Sequence, residues 1–171
     1  ELGLTESWNG TSWTEVNDLS VGRLGIGGSG ASNTSSLAFG GEHPTAAQSI
    51  TEEWNGGVAT GAWTSGGNLN TTRKGPVGGS GTETTALCFG GQESDTPNDV
   101  TGKTEAWNGY TWTELNDMND ERRSITGCGT QTASLAFGGL DGPVAPKATC
   151  ELWNGTNWTE VNDLNSDRFS I

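Results

Sequence analysis

The sequence predicts an all-β fold: a β-propeller segment of about three and a half four-stranded blades that form an incomplete ring. Three observations lead to this prediction. One pattern is repeated almost four times along the 171 residues, all eight tryptophans lie at fixed places in it, and Gly and Asn recur at matching places. A repeat of roughly 50 residues is typical of stacked supersecondary units, none of which buries its apolar face alone.

Several residues of the pattern recur in every copy, among them a glutamate, two tryptophans and an arginine. Each copy contains Glu-x-Trp-Asn-Gly, then a second tryptophan, and then an arginine ten residues further on. These residues are Glu6, Glu52, Glu105 and Glu151; the first tryptophans Trp8, Trp54, Trp107 and Trp153; the second tryptophans Trp13, Trp63, Trp112 and Trp158; and Arg23, Arg73, Arg122 and Arg168. Because all of them keep strict register, we interpret the tryptophans as core residues. We expect the arginines to pair between blades, with the glutamates or with loop carbonyls.

Each copy also contains the signals of four short antiparallel strands. Leu37 to Gly41 and its counterparts form an apolar run ended by two glycines, which predicts a buried strand followed by a bend. The next strand ends at the first tryptophan, and Asn-Gly then predicts a hairpin turn with both residues at positive φ. The second tryptophan opens an outer strand, and a glycine-rich innermost strand is expected to begin near Leu24. Four such strands make one propeller blade.

The order Phe-Gly-Gly, Glu-x-Trp-Asn, second Trp and Arg resembles the kelch repeat over nearly the whole chain. The chain departs from that pattern by having Trp where kelch repeats usually have Tyr at the first aromatic position. The resemblance implies a propeller that commonly has six or seven blades and often acts as a binding platform. The segment Trp-Asn-Gly-x-x-Trp-Thr-Glu also resembles repeat proteins that are frequent in marine phage and metagenomic sequences.

The repeat divides the chain into units of about 1–41, 42–91, 92–139 and 140–171. The first blade has only its two outer strands, and the sequence stops after Arg168, where another inner strand would open. Such an arrangement leaves unpaired strand edges, which favour pairing with further strands. We therefore expect either a longer polypeptide, which we favour, or an assembly with further copies of the same chain.

Composition limits the partners of this chain. Leu, Ile, Val and Phe make up 27 of 171 residues and the formal charge is −13, values that would indicate disorder without the periodic tryptophans. Only eight Lys and Arg are present, too few and too scattered for a nucleic-acid surface. No apolar run is long enough to cross a membrane, so membrane insertion is not expected.

The three cysteines occupy positions where other copies of the repeat have small residues. Cys88 stands in register with Ala38 and Ala136, Cys128 with Ser29 and Ser80, and Cys150 with Thr5, Thr51 and Thr104. Small-residue positions predict buried free thiols in preference to disulfides or a metal site.

The candidate binding residues lie where the repeats differ. The connections Glu42 to Ser49, Gln92 to Lys103 and Leu140 to Lys147 join equivalent strands but share neither length nor sequence, and loops on a rigid scaffold often carry function. The candidates are Glu42, His43, Gln92, Glu93, Asp95, Asp99, Lys103, Asp141 and Lys147. The alternative is that exposed connections simply tolerate sequence drift.

No catalytic motif, cofactor or metal site is predicted. A single His and a single Tyr are too few for a copper site resembling that of galactose oxidase, which uses two of each. The acids around Asn116 to Glu121 match no EF-hand spacing and are interpreted as turn residues.

We therefore expect a non-catalytic structural or binding module on an extracellular or virion surface, such as a tail fibre. It would use its connecting loops for adhesion to a protein receptor or a glycan. Two alternatives stay open: a cytosolic protein–protein adaptor, and a fragment of a larger propeller enzyme.

Overall fold

The computed structural model describes residues 3–57, 61–75, 77–96 and 98–169 of the chain. All regular secondary structure in these residues is β. The strands are β1 (Thr5–Trp8), β2 (Trp13–Val16), β3 (Gly27–Ser32), β4 (Ser35–Phe39), β5 (Thr51–Asn55), β6 (Ala62–Ser65), β7 (Gly78–Gly81), β8 (Ala86–Phe89), β9 (Thr104–Trp107), β10 (Trp112–Glu114), β11 (Thr126–Thr130), β12 (Ala133–Phe137), β13 (Cys150–Trp153) and β14 (Trp158–Val161). The described residues include no helix that could span a membrane.

The strands form three four-stranded sheets and one two-stranded sheet. Each four-stranded sheet uses consecutive strands in the orders β3-β4-β5-β6, β7-β8-β9-β10 and β11-β12-β13-β14, while β1 pairs only with β2. All neighbours are antiparallel. The predicted all-β fold of three complete blades and a partial one that do not close a ring is confirmed. We call the β1–β2 pair the half-blade.

The inner strands of successive blades lie side by side, since β7 contacts both β3 and β11. Glycine is required where they approach one another. A Cβ atom on Gly79 would lie 2.7 Å from the carbonyl oxygen of Gly28 and 2.9 Å from the ring of Phe39. This crowding explains why the innermost strand of each blade is rich in glycine.

Tryptophan pairs and phenylalanines build the interior. The two tryptophans of each copy face one another across their strand pair, as Trp107 and Trp112 do at 5.4 Å between ring centroids. A phenylalanine from one blade then packs edge-on against the second tryptophan of the next, with 5.1 Å between the rings of Phe39 and Trp112. Apolar side chains are therefore buried between blades as well as within them.

Two local predictions were wrong. The inner strand begins at Gly27, because Leu24 instead forms an isolated bridge with Glu42 in the connection that follows the double glycine. The Asn-Gly turn is a four-residue loop in which Gly10 has φ of +95° but Asn9 does not have positive φ. Asn9 keeps its usual φ because its side-chain oxygen accepts hydrogen bonds from the backbone N–H groups of Thr11 and Ser12, an Asx turn.

Candidate functional site

The repeated arginines join consecutive blades. The backbone of Arg73 belongs to the preceding blade, since its carbonyl accepts from Gly41 and its N–H donates to Gln48, both at 2.8 Å. Its side chain reaches the following blade, where it donates to the carbonyls of Gly90 and Lys103 and to Glu105. One residue therefore holds two blades together through both its backbone and its side chain.

The same geometry recurs in the other complete blades. Arg23 donates to Glu52 at 2.8 Å and Arg122 to Glu151 at 2.9 Å, and these four side chains are shielded from solvent almost completely. Each of the two arginines also donates to the carbonyl of the first glycine of the double glycine and to a carbonyl at the far end of the connection that follows. The expected partners, glutamate and loop carbonyls, are therefore used together at each of these positions.

Burial lowers the pKa of these guanidinium groups, whereas the neighbouring glutamates raise it. Burial lowers the pKa of Arg23, and the charge and hydrogen bond of Glu52 offset this only in part. Burial also lowers the pKa of Arg73, but the charge that Cys88 carries once it is deprotonated, the charge of Glu105 and the hydrogen bond to Glu105 raise it more, so the net shift is upward. Both arginines keep their charge at neutral pH, because an arginine pKa lies far above it.

The second tryptophans carry a further contact between blades. The indole N–H groups of Trp112 and Trp158 donate to the hydroxyls of Thr51 and Thr104 in the preceding blade, each at 2.9 Å. In the same way, Trp63 donates to Thr5 of the half-blade at 3.0 Å. These hydrogen bonds satisfy polar atoms that would otherwise be buried without a partner.

The variable connections all lie at the same end of the blades. In an antiparallel blade, the connection between the second and third strands and the linker to the next blade emerge at the same end. Backbone bridges hold them together there, between Gln48 and Arg73, between Lys74 and Gln92, and between Arg123 and Leu140. We call this surface, formed by residues 40–50, 90–96, 98–103 and 138–149 with the adjoining linkers, the loop face.

On the loop face, Lys74 links two neighbouring connections. Its ammonium group lies 3.7 Å from Glu42, donates to the carbonyl of Thr45 at 3.4 Å, and forms an ion pair with Asp95. Glu42 and Thr45 belong to one blade and Asp95 to the next, so this contact fixes the two loops relative to one another.

The middle connection, between β8 and β9, is stabilised by contacts among its own residues. Lys103 pairs with Glu93 at 3.0 Å, and the buried Gln92 side chain donates to the carbonyls of Ser94 and Thr96. Asp99 takes part through its backbone, whose carbonyl accepts from Glu93 and whose N–H donates to Thr96. The loop is therefore folded by its own polar groups.

The last connection repeats this arrangement with different residues. Lys147 lies 3.3 Å from Asp141 in the same loop and 3.4 Å from Asp120 in the linker. Burial lowers the pKa of Lys147, but its hydrogen bonds and charge interactions with Asp141 and Asp120 raise it more, so the net shift is upward. His43, in the first connection, contacts the carbonyl of Gly22 through Nδ1 at 2.9 Å.

The nine candidate residues thus lie on the loop face and divide into three local clusters, one for each connection, with Lys74 bridging the first two. Sequence reasoning missed Lys74, Asp120 and Arg123, which lie in the linkers between blades. Arg123 donates to the carbonyls of Gly142 and Pro143. Lys74 and Arg123 directly follow the repeated arginines, where Leu24 and Phe169 stand in the other copies, and this change of residue type is the signal that could have revealed them.

The predicted burial of the cysteines holds for Cys88 and Cys150, whereas Cys128 is exposed. In the preceding blade, the equivalent Ser80 is covered by the next blade and hydrogen bonds to Ser134. Cys128 lies on the inner strand of the last blade in the described part of the chain, so no further blade covers it there. The fully buried thiol of Cys88 has its pKa raised by burial to about 12.

A cavity of about 310 Å³ lies between the half-blade and the next blade. It is lined mainly by Trp8, Trp13, Trp54 and Trp63, together with Glu6 and other polar residues. In the complete blades, Leu37 and Leu87 lie in the same buried clusters as the two tryptophans of the next blade. The half-blade has no equivalent leucine among the described residues.

Comparisons with known proteins agree with a propeller-type fold. No family model matches the chain, and no curated protein matches it significantly. Among solved structures, 148 chains match it significantly. One of them is YjhT, with a TM-score of 0.72 at 12% sequence identity over 88% of this chain and 49% of YjhT. The chain thus spans about half the length of YjhT, and at this identity the likeness concerns the fold alone.

In the described part of the chain, no three His, Cys, Asp or Glu side chains come together in an arrangement that could hold a metal ion.

Proposed function

We propose that this chain is a non-catalytic binding module of the kelch-like propeller class. Its loop face contacts a receptor protein or a glycan in adhesion at a cell or virion surface. The observation that carries the proposal is that three connections of unlike sequence lie on one face of a repeated scaffold, where ion pairs hold them in defined conformations.

The scaffold supports a preorganised surface. The buried pairs Arg23–Glu52, Arg73–Glu105 and Arg122–Glu151 fix each connection at its base, because each arginine also binds carbonyls at both ends of that connection. A loop that is ordered before it binds loses less conformational entropy on association. The repeated residues thus provide rigidity, while the variable ones are free to determine the partner.

The loop face also supports recognition of a polar partner. It presents carboxylates and ammonium groups side by side, at Glu93 and Lys103 and at Asp141 and Lys147. These partly exposed pairs contribute little to stability, so their side chains can exchange partners with a ligand at small cost. Charges arranged in this way favour specificity and fast association.

The proposal can be tested by replacing the middle connection. A variant in which residues 93–100 are exchanged for a Gly/Ser loop of equal length, with Lys103 and Glu105 retained, is expected to lose binding on glycan arrays and in receptor pull-downs. The matched control is Tyr110→Ser in the hairpin turn between β9 and β10, at the opposite end of the same blade. Tyr110 is 82% exposed, and this change should leave binding intact.

Each outcome has a definite meaning. Loss of binding with the loop exchange but not with Tyr110→Ser supports the loop face as the contact surface. Equal loss in both variants, or no effect of the loop exchange, would reject it. Binding confined to proteins would exclude a glycan as the partner and leave a protein as the partner.

A further inference from the structure

Asn-Gly recurs in the hairpin between the third and fourth strands of each complete blade, at the end opposite the loop face. In the middle blade, this hairpin is a four-residue loop closed by the asparagine side chain. Asn108 Oδ1 accepts hydrogen bonds from the backbone N–H groups of Tyr110 and Thr111 at 3.0 and 2.9 Å. Asn154, in the last blade, accepts the two equivalent bonds, both at 2.9 Å. In each of these loops, two backbone donors therefore point at one amide oxygen.

The first complete blade holds the same dipeptide differently. Asn55 Oδ1 accepts one hydrogen bond among the described residues, from the backbone N–H of Gly57 at 3.0 Å. The N–H of Gly56 donates to the carbonyl of Thr34 at 2.9 Å, whereas the equivalent glycine N–H of the other two blades makes no hydrogen bond in the described part of the chain. The loop is also longer, since six residues separate its glycine from the second tryptophan where the other two blades have two.

These differences affect the chemistry of the asparagine side chain. After losing its proton to solvent hydroxide, the backbone nitrogen of the following residue can attack the asparagine Cγ, and glycine hinders this attack least because it has no Cβ atom. The attack is intramolecular, which favours it over hydrolysis by free water. Negative charge then develops on Oδ1, where backbone N–H donors stabilise it. A free glycine N–H and donors at Oδ1 therefore favour the reaction.

We propose that Asn108 and Asn154 are sites of spontaneous deamidation in the folded protein, and that Asn55 is protected. The glycine nitrogen forms a bond to Cγ, the bond from Cγ to Nδ2 breaks, and ammonia leaves after taking up a proton from solvent. Water then opens the resulting succinimide ring at one of its two carbonyls, which gives aspartate or isoaspartate. Each event adds one negative charge to the formal charge of −13. The inference is independent of the proposed binding function, because these hairpins lie away from the loop face.

The two products affect the hairpin in different ways. Aspartate keeps an oxygen where Oδ1 was, and as a carboxylate it accepts the same two hydrogen bonds more strongly. Isoaspartate instead inserts the side-chain methylene into the backbone of a loop that joins directly paired residues, Trp107 and Trp112 in the middle blade. The aspartate product therefore preserves the hairpin, whereas the isoaspartate product disturbs its register.

Peptide mapping by mass spectrometry tests the proposal. The 171-residue chain is incubated in its folded state at mildly alkaline pH, and aspartate and isoaspartate are measured at the three sites over time. Asn108 and Asn154 are expected to react about tenfold or more faster than Asn55. In urea the three rates should converge, because each site then has the same local sequence, Trp-Asn-Gly.

Two results would overturn the proposal. One is a rate at Asn55 in the folded protein that equals or exceeds the rates at Asn108 and Asn154. The other is the absence of reaction at Asn108 and Asn154 during the time in which the chain unfolded in urea reacts fully.

A change of loop length gives a second, independent test. Replacing residues 57–62 with Tyr-Thr gives the first complete blade the hairpin of the middle blade, and Asn55 should then react as fast as Asn108. The matched control replaces residues 58–60 with Gly/Ser residues at unchanged length and should leave Asn55 slow. Circular dichroism spectra check that both variants fold. If Asn55 stayed slow in a folded short-loop variant, or became fast in the control, the four-residue loop would not be the cause of the reactivity.

Discussion

Arg73 Nη2 and Glu105 Oε1 lie 2.8 Å apart, and both side chains are completely shielded from solvent. The guanidinium group also donates to two carbonyls, which satisfies most of its donors. Forming such a pair brings little net stability, because both charges must first be desolvated. Removing one member of the pair destabilises the fold, since the other charge is then buried without compensation.

We therefore expect Arg73→Ala to lower the free energy of unfolding by about 3–5 kcal/mol, measured by urea denaturation. The matched control is Lys103→Ala, which breaks a partly exposed pair with Glu93 and should cost about 1 kcal/mol or less. A cost for Arg73→Ala no larger than that of the control would show that the buried pair does not hold the blades together.

The hydrogen bond between Trp158 and Thr104 gives a second prediction. Thr104→Val keeps the side-chain shape but leaves the buried indole N–H of Trp158 without its acceptor, which should cost about 1–3 kcal/mol. Thr5→Val is the control, because Thr5 accepts the equivalent bond from Trp63 but is only half-buried. Water can replace that bond, so similar losses in urea denaturation for both variants would contradict the explanation.

Thiol reactivity should separate the three cysteines. Cys128 is exposed whereas Cys88 and Cys150 are buried, so a disulfide reagent at pH 8 is expected to modify one thiol rapidly in the folded protein. All three should react after unfolding in urea. The variant Cys128→Ser should lose the rapid phase, and a rapid phase that persists in it would place a second thiol at the surface.

Because of the buried thiol of Cys88, we expect the free energy of unfolding to depend on pH. Burial raises the pKa of its thiol from 9.0 to about 12, so the unfolded chain loses this proton at lower pH than the folded protein. Its contribution to stability is present below about pH 9 and is lost progressively between there and about 12, at up to about 1.4 kcal/mol per pH unit. Cys88→Ala, the residue found at the equivalent positions 38 and 136, should remove that slope in urea titrations at several pH values.

The fold could be predicted well from the sequence, because the residues that determine it recur in every copy of the repeat. The tryptophan positions, the pairing of strands and the arginine–glutamate partners all follow from the register of the sequence. The start of the inner strand was misplaced because the bridge between Leu24 and Glu42 joins distant segments. Cys128 was misplaced because burial there depends on a neighbouring blade, which no residue at that position reveals.

The sequence predicted where the loop face lies but not the contacts between its connections. Sequence divergence indicated residues 42–49, 92–103 and 140–147, but not that Lys74 would join two of these connections. Its partners Glu42 and Asp95 lie in different repeat units and at unequal distances along the chain, because the connections differ in length. Such contacts depend on the stacking of blades, which periodicity indicates only for repeated residues.

The double glycine provides the last prediction. Gly90 has φ of +67°, and a Cβ atom there would lie 2.7 Å from the carbonyl oxygen of Arg122, which accepts the backbone bond from Gly91. Gly90→Ala should therefore combine backbone strain with a clash against the neighbouring linker. Gly10→Ala is the matched control, because Gly10 has φ of +95° but a Cβ there meets nothing within 4 Å. The control should lose about 1–2 kcal/mol from strain alone, and Gly90→Ala clearly more, as measured by urea denaturation. Equal losses would mean that the linker moves to accommodate the methyl group, and that the contact between blades at this point is not tightly packed.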